Sequence, residues 1–225
     1  MLSLALAAAI WVAVHIGIAG SPLRAAIAAR LGDNGFRGLF SLISLASITL
    51  LIMAYRAAPH IALWATPPIA LDALAFIMLP ASMLFFASIA SPNPTAVGQD
   101  SAMASGAHGV QRITRHPMLW SFALWGAVHM LANGTAAGLI FFGAFTVTAL
   151  AGMRSIDRKL AARHAYGFMI LARESSVLPG AALVAGRTRL VAGEIKWWVL
   201  VGGFVLWILL IYLHPRVIGL AAVPS

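Results

Sequence analysis

Seven histidines carry most of the chemistry this chain can offer. His15 and His129 lie inside long apolar runs, and His116 heads one in Arg112-Ile-Thr-Arg115-His116-Pro117. His214 closes the last run, while His60, His108 and His164 lie between runs. Neutral imidazole is the commonest protein metal ligand, and two on separate helices can clamp a haem iron from both sides. Ionisable groups inside a membrane-spanning run are costly and by default mark function. Helix geometry limits the pairing. His116 and His129 are 13 residues apart, which places them about 220° apart round a helix of 3.6 residues per turn. They cannot both reach one iron. A two-histidine site must take one of them with a histidine from elsewhere, and His15 is the only other one deep in a run. Trp11 precedes His15 by one turn, Trp125 precedes His129 by one turn, and Asn133 follows His129 by one turn. Indole faces at that spacing can wall a flat macrocycle. The same residues also suit a plainer role, in which each histidine hydrogen-bonds a neighbouring helix and glues the bundle. Their depths differ by roughly 10 Å at 1.5 Å rise per residue, an offset that tilted helices or a tilted ring must absorb.

Arg112 and His116 are four residues apart on one helical face, with Arg115 beside them and Pro117 suited to a first helical position. Two guanidiniums there either hold an anionic group or serve as a basic interfacial anchor. No carboxylate lies deep in an apolar run, and Asp72 is near the outer end of the third. That pattern disfavours proton-coupled transport on buried acids and hydrolysis by paired carboxylates. The chain has no cysteine, which excludes disulfides, zinc–thiolate sites, iron–sulfur clusters and thiol catalysis. Neither a nucleophile-type serine motif nor a phosphate-cradling glycine loop is present.

These residues need elements to hold them. The chain has 225 residues, 61% hydrophobic and 9% charged, against about 45–50% and about 25% in soluble domains. A bilayer is its natural solvent. Apolar runs fall at roughly 2–20, 38–55, 69–90, 117–132, 135–153 and 196–213, most of them near the ~20 residues a spanning helix needs. The expected fold is all-α, a polytopic membrane helical bundle of about six transmembrane helices forming one domain over residues 1–225. The runs lack the alternation of barrel strands. No Lys or Arg precedes the first run, which reads as a retained helix and not a cleaved leader. Asn133-Gly134 predicts a tight hairpin between the fourth and fifth helices. Pro80 predicts a kink in the third, which neighbouring helices can accommodate. The loops 21–37, 91–116 and 154–195, with Lys196 at the edge of the last, hold 13 of the 15 basic residues. The other side has only Arg56 and Arg216. Basic loops stay cytoplasmic, so both termini are expected on the periplasmic face of a bacterial inner membrane. The net charge of +9 is then a topology signal and not a sign of a nucleic-acid partner. Ala90 to Ala107 reads as a flexible loop. Ser155 to Arg173 predicts an amphipathic surface helix, with Arg158, Lys159 and Arg163 either at anionic headgroups or carried on a helix packed against the bundle.

Several of these segments also occur together in a known family. His15-x-Gly17, the stretch Arg37 to Ala46, Arg112-Ile-Thr-Arg115-His116-Pro117 and Trp125-x-x-x-His129-x-x-x-Asn133-Gly134 resemble the NnrU family. So do Asp157-Arg158-Lys159, Ser176-Val177-Leu178-Pro179 and Gly186-Arg187. The plastid zeta-carotene isomerases look like distant relatives, with shared features reaching His214-Pro215. The resemblance implies a link to denitrification and nitric oxide metabolism. Through the isomerases it implies a b-type haem with axial ligands at His15 and His129. Arg112, Arg115 and His116 are then candidate partners of the haem propionates or of a lipid. The implied ligand is nitric oxide or a lipophilic substrate of redox-gated isomerisation. An alternative is a non-enzymatic assembly factor or scaffold for a membrane denitrification complex. The Arg-His-Pro turn before a helical hairpin is also similar to membrane methyltransferases that use S-adenosylmethionine, with Asp157 or Arg173-Glu174 in place of their acidic segment.

Overall fold

The computed structural model describes residues 1–96, 99, 103, 105–219 and 222. Among them no strand forms, and one isolated antiparallel bridge joins Ala62 to Thr135. Helix α1, Leu2–Val12, runs directly into a π-helical turn at Ala13–Ile18. It is followed by α2 (Leu23–Arg56), α3 (Pro68–Ala90), α4 (Pro117–Asn133) and α5 (Ala136–Arg163). Then come α6 (Ala165–Glu174), the single turn α7 (Ala181–Val184) and α8 (Trp197–Val217).

All six expected apolar runs are helical. Four helices are long and apolar enough to cross a membrane, namely α2, α3, α5 and α8. The first and fourth runs form helices of 17 residues, Leu2–Ile18 and Pro117–Asn133. Large apolar side chains such as Leu42, Phe76 and Val205 stand exposed along the helices, as they do where lipid is the solvent.

Three details refine the sequence reading. The segment 21–37 is not irregular: α2 already begins at Leu23 and bends at Gly32, whose φ of 71° and ψ of 165° only glycine adopts readily. Pro80 sits inside α3, which continues through it as one helix. The expected Ser155–Arg173 helix is two pieces. Residues up to Arg163 prolong α5, and α6 starts afresh after His164, whose φ of −135° and ψ of 51° break the helix.

The chain divides into two compact units, Met1–Pro67 with Trp125–Ser155, and Pro68–Leu124 with Ile156–Ser225. In the first, α1 packs on α2 over a core of Leu4, Ala7, Leu51, Ala54, Phe141 and Phe142. The expected hairpin turn falls in this unit. Gly134 has φ 63°, and its carbonyl accepts the amides of Leu63 and Trp64 at 2.8 and 3.1 Å. A side chain at Gly134 would run into the Trp64 carbonyl, so glycine is required twice over. In the second unit α3 packs on α8, and Trp207 Nε1 donates to the Ala75 carbonyl at 2.8 Å.

Candidate functional site

Both intramembrane histidines belong to the first unit, and they are held alike. His15 Nδ1 lies 2.8 Å from the carbonyl of Trp11, and His129 Nδ1 lies 2.8 Å from that of Trp125. A carbonyl only accepts, so each Nδ1 carries the proton and each Nε2 carries the lone pair. The bond lies within one helical turn, so Trp-x-x-x-His sets the tautomer without any tertiary partner. The tryptophans also stack on their histidines, at centroid distances of 3.9 Å for Trp11–His15 and 5.0 Å for Trp125–His129.

Phe145 joins the two motifs. Its ring lies 4.9 Å from Trp11 and 5.2 Å from Trp125. His129 further contacts Phe142 at 5.0 Å, and His15 contacts Phe40 edge-on at 5.5 Å. Phe145 therefore links the Trp11–His15 and Trp125–His129 motifs in one aromatic cluster. Phe142, Phe145 and Ser44 were not singled out from the sequence. Nothing local marks them, because their partners lie on other helices. Ser44 Oγ is 3.4 Å from His15 Nε2 and is a donor suited to that lone pair. His15 also sits in the π-turn, a local distortion frequent at functional sites.

Does this donor set fit a haem? Two imidazoles, each with Nδ1 donating to a carbonyl one turn before, are the residues that would hold a haem iron through Nε2. Flat aromatic rings flank both. On donor chemistry and surroundings the residues fit.

Arg112, Arg115 and His116 belong to the second unit, where each already faces a carboxylate. Arg112 binds Glu194 through Nε and Nη2, both at 2.7 Å, and Thr188 through Nη1 at 2.9 Å. Glu194 also accepts the Gly109 amide at 2.8 Å. The hydrogen bonds from Arg112, opposed by partial desolvation, hold the Glu194 carboxyl down at about 2. Arg115 binds Asp157 with Nη2 at 2.5 Å and Nε at 3.0 Å, and His116 Nε2 donates to the same carboxylate at 2.9 Å. The chain then doubles back. Arg115 N donates to Ser176 O, Thr114 Oγ1 and Trp120 Nε1 donate to Val177 O, and Gly180 N donates to Ile113 O. Three segments distant in sequence, Arg112–Pro117, Asp157 and Ser176–Gly180, thus meet at one point. Among the described residues no cluster of three or more metal-binding side chains forms.

The fold and the two sites define a polytopic helical membrane protein that carries a histidine pair among aromatic rings. Residues 3–222 match the family model described as NnrU protein, and the chain belongs to that family. It is also similar to the protein named 15-cis-zeta-carotene isomerase, chloroplastic, of Zea mays, with 33% identity over 82 residues. That alignment covers 36% of this chain and only 22% of the maize protein. No solved structure matches.

Proposed function

We propose that His15 and His129 hold a b-type haem. On this reading the protein binds, senses or processes nitric oxide, or carries out redox-gated isomerisation of a lipophilic substrate, within denitrification-linked metabolism. One observation carries the reading, namely that both histidines donate Nδ1–H to the carbonyl of the tryptophan four residues before. Such a haem group would supply one-electron redox chemistry and nitric oxide binding. The chain's own part is to fix both tautomers, to exclude water with Trp11, Trp125 and Phe145, and to hold His15 Nε2 by the Ser44 hydroxyl while it is not engaged. The likeness to an isomerase adds a cis double bond in an apolar substrate as one reaction to try.

Protein purified from haem-supplied cells should show the split visible bands of a six-coordinate b-type haem on reduction. His15→Ala and His129→Ala should each abolish or shift them. His60→Ala and His164→Ala should leave them unchanged, as should His116→Ala in protein that inserts. Well-folded wild-type protein without bound haem would favour the assembly-factor role, with the histidines as packing residues. The orientation proposed with this function puts both termini in the periplasm of a bacterial inner membrane. A reporter after Ser225 should read as periplasmic and one within 91–116 as cytoplasmic; a cytoplasmic C-terminus overturns that orientation.

A further inference from the structure

The haem reading makes no use of the cluster at Arg115, Asp157 and His116. The His116 side chain is 0% exposed, a burial that an imidazole needs reasons to bear. Its Nε2 donates to Asp157 Oδ1 at 2.9 Å, while Arg115 covers the same carboxylate at 2.5 and 3.0 Å. The guanidinium already balances the carboxylate. A carboxylate only accepts, so His116 Nε2–H faces Asp157 and Nδ1 is the ring nitrogen turned away from it. Among the described residues that Nδ1 has no hydrogen-bond partner. Native interiors leave few such atoms unmatched, and those they leave are water-binding, ion-binding or catalytic. Buried polar groups gather in the same unit. Thr95 Oγ1 lies 2.8 Å from both the Arg115 carbonyl and Asn93 Oδ1, its one proton serving a single acceptor at a time, and Asn93 Nδ2 donates to Ser88 Oγ at 2.7 Å.

We propose that His116 is a proton-accepting base whose Nδ1 takes a hydrogen bond, and then a proton, from a buried water-sized hydroxylic ligand. Asp157 and Arg115 are positioning residues. One ring nitrogen tied to a carboxylate and the other left basic is the arrangement of a general base. In the transfer the ligand's O–H bond breaks with its electron pair staying on oxygen, and the Nδ1 lone pair forms the new N–H bond. Asp157 stabilises the imidazolium through Nε2–H, and the ligand's oxyanion balances the added charge. The His116 side chain is 0% exposed, so bulk lipid does not reach Nδ1.

The proposal stands apart from haem, and its test needs none. Protein labelled with ¹⁵N-histidine in lipid nanodiscs near neutral pH reports the protonation of each ring nitrogen. The His116 signal is assigned by its loss in His116→Gln or, should that variant not insert, by elimination through variants of the six other histidines. The expected ring has protonated Nε2, bare Nδ1 and a magnetisation-transfer peak from water. A doubly protonated ring, a protonated Nδ1, or no transfer from water would overturn the proposal. Asp157→Asn offers Nε2 either a donor or an acceptor, so the single tautomer should give way to a mixture that Asp157→Glu restores. An unchanged tautomer in Asp157→Asn removes Asp157 from its positioning role.

Discussion

His116 and His129 stand on the same helix, α4, and are held by opposite means. His129 is satisfied by its own helix through the Trp125 carbonyl, and His15 is satisfied in the same way on α1. His116 is satisfied by Asp157, 41 residues away. The Nδ1 bonds of His15 and His129 are set within one turn of their own helices, although His15 Nε2 also faces Ser44 on α2 and His129 packs on Phe142. A histidine bonded to a distant carboxylate instead helps to hold the chain together. The His15 and His129 Nδ1 bonds are therefore set by local sequence, and the Arg115–Asp157–His116 cluster by tertiary structure.

The largest effect that tests this contrast is on Asp157. Removing one partner of a mostly buried charged group costs about 3–5 kcal/mol. Asp157→Ala should therefore lose most of its folded, inserted protein. His129→Ala, which removes one intrahelical bond, should cost about 0.5–1.5 kcal/mol by that bond alone. Thermal unfolding in one detergent compares them, and equal midpoints would erase the distinction.

Helix packing gives the next test. A side chain at Gly203 would place Cβ 2.7 Å from Met83 Cα, whereas one at Gly17 meets nothing within 4 Å. Gly203→Val should destabilise the α3–α8 pair by about 1–3 kcal/mol, and Gly17→Ala should leave the first unit's stability unchanged. The same unfolding assay decides it.

Acid should loosen the second unit first. The Glu194 carboxyl sits at about 2, below its ordinary 4.5. Its contribution is complete above about 4.5 and is lost as pH falls towards about 2. The Arg112 and Glu194 side chains are 16% and 21% exposed, and an ion pair that solvent still reaches contributes on the order of 1 kcal/mol or less. The protection factor of the Gly109 amide, which donates to Glu194, should fall across that window relative to the intrinsic exchange rate and should stay flat in Glu194→Gln. The amides of α1, which carries no carboxylate, should not follow. If they do, the acid response is global.

The smallest expected effect is at Ser44. Ser44→Ala should change stability by less than about 1 kcal/mol and should raise haem uptake, because His15 Nε2 loses its competing donor. Lower uptake would show that Ser44 orients the imidazole.

What could be read in the sequence follows the same division. The six helical runs, the Asn133-Gly134 hairpin and the Trp-x-x-x-His turns depend on neighbours within a few residues, and the structure has them where the spacing puts them. Trp11 and Trp125 were legible as ring neighbours, although their carbonyls as tautomer-setting acceptors were not. The pairing of Arg112 with Glu194 and of Arg115 and His116 with Asp157 was not legible, because nothing in the spacing ties residue 112 to residue 194. Without those partners the two arginines read as groups awaiting an anion. The break at His164 and the early start of α2 escaped for another reason. Both stretches are apolar and polar by turns, and backbone angles at one residue decide where one helix becomes two.

The two helices that carry the histidine pair are also the two short ones, at 17 residues each. Seventeen residues rise about 25 Å, some 5 Å less than the hydrocarbon core of about 30 Å. If α1 and α4 span the bilayer, as the six-run reading expects, the lipid beside them thins, their flanking residues snorkel or the helices associate, whereas the longer helices need none of these. Hydrophobic mismatch is thus concentrated where the histidines are. The protein should partition into thin bilayers, and the thinned rim is where an apolar molecule dissolved in the acyl chains would find the shortest way in.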